Sequence, residues 1–156
     1  DGRDVAVSYY FHSLRKGEFE GPFKKFLSRF LEGSVDTLPR WPEHVRSWIN
    51  GAYRGEVLFV RYEDCLADPV ACLEAIVGFL DVQRPRTPIH RAVDDNRRDR
   101  MQAKETMSGT RSGDRSNGMK FVRKGVSGDW LHYFDEADHQ HFEHRAGDIL
   151  THFGYL

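Results

Sequence analysis

Hydrophobic positions return every three or four residues along much of this chain, the spacing that gives a helix one apolar face. Phe23, Phe26, Leu27 and Phe30 put such a face on a helix from about Pro22 to Leu31, and Gly33 ends it. Trp41, Val45, Trp48 and Ile49 repeat the pattern on a helix beginning near Trp41-Pro42, where proline suits a first turn. Asp68-Pro69 opens another, carrying Leu73, Ile76, Val77, Phe79 and Leu80. A heavily charged helix is expected from about His90 to Lys104, and a further one from Asp135 to Phe153. At the front, Gly2 supplies a turn and Asp4 is placed to cap a helix through Val5–Tyr10. One stretch departs from this rhythm. After the Gly51–Gly55 break, Val57-Leu58-Phe59-Val60-Arg61-Tyr62 is almost continuously apolar, as a strand covered on both faces is. Helices flanking such a strand predict an α/β layered fold.

Composition narrows the function classes. A length of 156 residues predicts a single domain, 1–156, with a core of ordinary size. The net charge of −1 gives no overall pull toward nucleic acid or an anionic membrane. The basic residues between Arg97 and Lys124 are interleaved with Asp99, Glu105 and Asp114, which predicts a mixed, solvated surface rather than a nucleic-acid stripe. No apolar run is long enough to span a membrane and no secretory signal opens the chain. Cys65 and Cys72 are too few for a disulfide framework or a zinc site and are read as reduced thiols, predicting a cytoplasmic setting. His141 and His144 are three apart on the last helix, but no third ligand accompanies them, so no metal is expected. His12, His44, His132 and His139 are given no catalytic role.

The chemistry concentrates near the end of the chain. Ser108–Asn117 is rich in Gly, Ser and charge and predicts a loop, placed as a lid over the segment after it. That segment is Phe121-Val122-Arg123-Lys124-Gly125-Val126-Ser127-Gly128-Asp129-Trp130. Glycine lets backbone approach a ligand closely and aim its N–H at an anion. Arg123 offers a flat fork of donors and Lys124 a compact charge. Together they suit a phosphate monoester.

This segment resembles the RKGxxGDW motif of the sulfotransferases that use 3′-phosphoadenosine 5′-phosphosulfate (PAPS), of the cytosolic and bacterial small-molecule type. Three further stretches carry the resemblance: Arg3-Asp4-Val5-Ala6-Val7-Ser8-Tyr9-Tyr10, the Trp41/His44/Val45/Trp48 helix, and Val57–Asp64 with Asp68-Pro69. The resemblance implies part of a P-loop-kinase-like sulfotransferase fold, a parallel sheet flanked by helices and helix-rich in this part. It implies that Ser8, Arg123, Lys124 and Gly125 hold the 3′-phosphate and that Tyr62 contacts adenine. A hydroxyl in the first turn of a helix, as Ser8 is expected to be, suits an anion. Aligning on Met101 puts Asn96 and Arg98 near the adenine, where Asn96 would hydrogen-bond and Arg98 would either stack on the base or face solvent. The family's dimer motif falls on Leu131, Asp135, Glu136 and Gln140, none of which matches, so that mode is not transferred. Tyr9, Tyr10 and Phe11 either line the acceptor pocket or belong to the core.

The family's phosphosulfate loop with its lysine, and its histidine base, are not found. Gly17–Lys25 is the nearest glycine-and-lysine cluster and lacks the strand-loop-helix context. The resemblance therefore covers roughly the C-terminal half to three-fifths of a sulfotransferase, and no catalytic residue is expected within this chain. Either these residues are a fragment of a longer protein, or a partner chain completes the sheet. The function expected is sulfuryl transfer from PAPS to a hydroxyl, phenol or amine of a small molecule. The alternative is a non-catalytic module that binds 3′-phosphoadenosine.

Overall fold

The computed structural model describes residues 1–35, 40–51, 57–82, 86–108 and 119–156. They form eight α-helices and one turn of 3-10 helix, and they divide into two compact units. The first unit is Asp1–Glu56 with Ser127–Leu156, and the second is Val57–Val126.

The first unit contains α1 (Gly2–Lys16), α2 (Phe23–Glu32), α3 (Trp41–Gly51), the 3-10 turn Asp129–His132 and α8 (Glu136–His152). The apolar face of α2, with Phe23, Phe26, Leu27, Phe30 and Leu31, is buried with Ala6 and Val7 of α1 and Phe142, Ala146, Ile149 and Leu150 of α8. Each such large side chain, fully buried, contributes about 1.5–3 kcal/mol. Tyr9, Tyr10 and Phe11 pack against this core: Tyr9 meets Phe26 edge-on with centroids 5.9 Å apart, and Tyr10 meets Phe23 at 5.5 Å. Trp41 and Val45 join it from α3, whereas Trp48 is 53% exposed and meets His44 edge-on.

Caps explain the helix ends. Asp1, not Asp4, caps α1, its carboxylate accepting the Arg3 N–H at 2.9 Å. The helix thus starts earlier than the apolar pattern suggests, and Gly2 is its first residue rather than a turn. A Cβ at Gly2 would lie 2.3 Å from the Trp41 ring, so the bare backbone makes room for that indole. Gly33 takes the left-handed conformation (φ 73) that ends α2. Asp135 and Asp138 form a reciprocal capping box at the start of α8.

The second unit contains α4 (Tyr62–Ala67), α5 (Pro69–Phe79), α6 (Arg86–Asp95) and α7 (Arg98–Ser108). Asp68 caps α5 by accepting the Ala71 N–H at 2.9 Å. The charged helix expected over 90–104 is two helices. At the break, the Asn96 side-chain amide donates to the Ala92 carbonyl at 2.8 Å, and the N–H groups of Asn96 and Arg97 reach only to Val93 and Asp94. Asparagine favours such local bonds over helix continuation.

Two further expectations are corrected. Val57–Arg61 is not a strand, and Tyr62 begins a helix. No strand occurs among the described residues, so the expected parallel sheet is not seen in this portion. A strand persists only where a neighbour takes its backbone hydrogen bonds. Leu58, Phe59 and Val60 are accordingly 38%, 41% and 44% exposed instead of covered on both faces. Cys65 and Cys72 are not reduced thiols but are bonded to each other. The turn between α4 and α5 brings their Cα atoms to 5.1 Å, well inside the span a disulfide bridges. The lid expected over 108–117 lies outside the described residues except for Ser108, and so do residues 52–55 of the expected Gly51–Gly55 break.

Candidate functional site: a cationic segment held by a helix

In the second unit, Phe121–Gly125 runs as irregular backbone alongside α7. Backbone without ladder partners must satisfy its polar groups some other way. Here α7 does it from one face, at positions 98, 102 and 105, spaced four and three residues apart as neighbours on a helix are. The two oxygens of the Glu105 carboxylate accept the N–H groups of Phe121 and Val122, the latter at 3.0 Å. The Gln102 amide donates to the carbonyls of Val122 at 3.0 Å and Arg123 at 2.9 Å. Arg98 donates to the carbonyl of Lys124. Every residue from Phe121 to Lys124 is therefore bonded through its backbone to a side chain of α7.

Gly125 follows in the left-handed region, φ 59, which only glycine adopts without strain. A Cβ there would meet the Arg98 side chain at 3.1 Å and the Tyr62 hydroxyl at 3.8 Å. Three residues expected at the nucleotide site, Tyr62, Arg98 and Gly125, thus come together in the second unit. Arg123, half-buried, and Lys124, exposed, adjoin them in the chain. Tyr62 is 52% exposed and so reachable by a ligand. Arg61 forks onto Asp64 at 2.9 and 2.8 Å, bracing the turn that carries Tyr62 and holding the Asp64 carboxyl below the usual carboxylate range. Asn96 lies at the α6–α7 break with its amide N–H committed to Ala92.

Ser8 belongs to the first unit. It is exposed in the second turn of α1, not the first. The entrance of that helix is filled by the Asp1 carboxylate, which also binds the Arg3 guanidinium at 2.7 Å. The physical case for Ser8 therefore rests on its hydroxyl rather than on the dipole of the helix end.

Asp4 has a different task from the capping expected of it. Its two oxygens accept the N–H groups of Gly128 at 2.7 Å and Trp130 at 2.9 Å. This fastens the start of the 3-10 turn to α1. Next to it, Arg3 is 4% exposed and lies over the Trp130 ring, 3.9 Å from its centroid. Arg3 also contacts His139 Nε2 at 3.0 Å and donates to the Tyr155 carbonyl at 3.2 Å. Burial lowers its affinity for the proton, while Glu143 and Asp4 act the other way. His139 in turn faces Glu143 at 3.0 Å, which gives this histidine a structural role.

Asp4, Gln102 and Glu105 are the residues the sequence reading missed. The spacing of 98, 102 and 105 was the available signal for the last two. Among the described residues no cluster of three or more histidine, cysteine or acidic side chains could hold a metal. The donor set that is present, two adjacent cations beside a left-handed glycine and a phenol, fits a phosphorylated nucleoside.

The family model described as the sulfotransferase domain matches residues 1–154. Sulfotransferase 1 family member D1 of Rattus norvegicus is 31% identical over 148 residues, covering 92% of this chain and 50% of the relative. Sulfotransferase 1B1 of Canis lupus familiaris is 30% identical over 149 residues, with the same coverage of 92% and 50%. The chain thus spans about half the length of the curated relatives it matches. Among solved structures, retinol dehydratase in complex with androsterone and the inactive cofactor PAP superposes with a TM-score of 0.81 at 29% identity, over 96% of this chain and 45% of that one. Mouse sulfotransferase SULT7A1 complexed with PAP gives 0.74 at 27% identity, over 91% and 53%. With the domain model spanning nearly every residue, this chain belongs to the sulfotransferase domain family.

Proposed function

We propose that this chain is the nucleotide-binding portion of a PAPS-dependent sulfotransferase that transfers a sulfuryl group to a hydroxyl, phenol or amine of a small molecule. Both units would belong to one sulfotransferase domain, a reading supported by a family match that runs through both of them. Arg123, Lys124 and the Gly125 backbone, with the Ser8 hydroxyl, would hold the 3′-phosphate. Tyr62 would contact adenine, with Asn96 beside it. The face of the Arg98 guanidinium can still stack on a base, because donation to the Lys124 carbonyl uses only its edge. The observation that carries this reading is the convergence of Gly125, Arg98 and Tyr62 beside two cations whose backbone is already held.

Solved relatives with PAP bound support the choice of nucleotide, and androsterone and retinol in the retinol dehydratase complexes support a small-molecule acceptor. Catalysis of sulfuryl transfer needs positioning and stabilisation of charge that spreads over the leaving phosphate and the moving sulfonate. The residues proposed here bind and orient the nucleotide. The acceptor's base and the lysine at the phosphosulfate are assigned to a part of the protein outside this chain; with Cys65 and Cys72 bonded to each other, reduced thiols no longer support a cytoplasmic location.

The test is calorimetry on the full-length protein with adenosine 3′,5′-bisphosphate. A charge-assisted hydrogen bond contributes about 1.5–3 kcal/mol, so Arg123→Ala should weaken binding about 10- to 100-fold. Unchanged affinity would refute the assignment. Residues 1–156 alone, given PAPS and a panel of acceptors, should show no turnover.

A further inference from the structure

We propose that Gln102 and Glu105 are positioning residues for anion binding: they hold the backbone of Phe121–Arg123, which leads directly into Lys124-Gly125, in its binding conformation before any nucleotide arrives. This rests on the proposed role of that segment at the 3′-phosphate.

The physical case begins with what the segment lacks. Phe121–Val126 has no helix or strand of its own, so nothing internal to it fixes its dihedral angles. Fixing each residue on binding would cost conformational entropy, which weakens affinity unless another part of the protein has already ordered the backbone. Gln102 and Glu105 do that ordering. Glu105 takes two consecutive N–H groups with two oxygens, and Gln102 gives two N–H bonds to two consecutive carbonyls. A carboxylate can only accept and the terminal N–H₂ of glutamine can only donate, so each side chain matches one polarity of the backbone. Neither side chain is needed for ligand contact in this scheme. They act through the backbone of the residues that make it.

Two substitutions separate the contributions in the full-length protein. Gln102→Leu keeps the bulk and removes both donors. Glu105→Gln keeps the shape and turns one acceptor into a donor aimed at an N–H. For each variant, dissociation constants are measured for adenosine 3′,5′-bisphosphate and for adenosine 5′-monophosphate, with the melting temperature and amide exchange at Val122 alongside.

Loss of one or two hydrogen bonds should weaken the bisphosphate about tenfold in each variant. Monophosphate affinity should stay within about twofold, and exchange at Val122 should accelerate in Glu105→Gln. A merely structural role would lower both affinities together, or neither, and either result overturns the proposal. Arg123→Ala is the control. If the wild-type protein binds both nucleotides equally, the phosphate role of the segment fails. If it prefers the bisphosphate and loses that preference in Arg123→Ala but not in Gln102→Leu or Glu105→Gln, only the positioning role fails.

Discussion

Asp4 offers a direct test of how the 3-10 turn is fastened. Its carboxylate accepts the N–H groups of Gly128 and Trp130 at 2.7 and 2.9 Å, joining α1 to residues more than 120 positions later in the chain. A hydrogen bond to a charged group contributes about 1.5–3 kcal/mol. Two at full strength would give about 3–6 kcal/mol, but Gly128 and Trp130 are only half-buried, and water can replace part of what is lost. Asp4→Ala should therefore lower the unfolding free energy by about 2–4 kcal/mol. Asp4→Asn keeps one acceptor oxygen and turns an N–H₂ group toward the second donor, so it should fall at roughly half that loss or slightly more. Urea denaturation followed by circular dichroism measures both, provided the slope against urea stays at the wild-type value. An Asp4→Ala variant within about 0.5 kcal/mol of wild type would show that the two bonds contribute nothing net and that packing alone holds the turn.

Two further predictions concern the bonds at the chain's surface. Reducing the Cys65–Cys72 bridge, with a sequence separation of 7, should lower stability by roughly 2–3 kcal/mol through loop-closure entropy, and thiol titration of the unreduced, denatured protein should detect no free thiol; two reactive thiols there would refute the bridge. The hydrogen bond from Lys24 at 2.7 Å, followed by the backbone bond from Asp138, holds the Asp135 carboxyl below its usual range. Its contribution is present above the unfolded-state pKa and is lost as pH falls through the lower folded-state value, so Lys24→Met should flatten the acid limb of a stability-versus-pH curve below about pH 4. An acid limb identical to wild type would rule the pair out as its source.

The parts of the fold legible in the sequence were those that local physics decides. The face of α2, the stop at Gly33, the Asp68-Pro69 start of α5 and the Asp135 start of α8 need only helical spacing and a cap. The Val57–Arg61 segment was misread because an apolar run describes a strand only when lateral partners exist, and partners are not written in the run itself. Asp4 was read as a cap because it is the acid nearest the apolar repeat; Asp1 does that work, and the bonds that engage Asp4 come from the far end of the sequence. The cysteine pair was missed since a spacing of seven reveals nothing until the turn at Asp68 folds one helix against the next. At the candidate site, residue types gave Arg123, Lys124 and Gly125. The side chains that hold them sit some twenty positions earlier, on a helix whose polar face reads in isolation as ordinary solvated charge.

The buried guanidinium of Arg3 reaches the carbonyl of Tyr155, across 152 positions of sequence. The first unit is thus discontinuous: α1, α2 and α3 leave the ribosome long before α8, which completes their core. During synthesis the second unit is delivered whole while the first still lacks the Phe142, Ala146, Ile149 and Leu150 part of its core. Non-local closure of this kind is slow and leaves apolar surface open to wrong partners. The nascent chain therefore exposes part of this core to wrong partners until α8 has emerged.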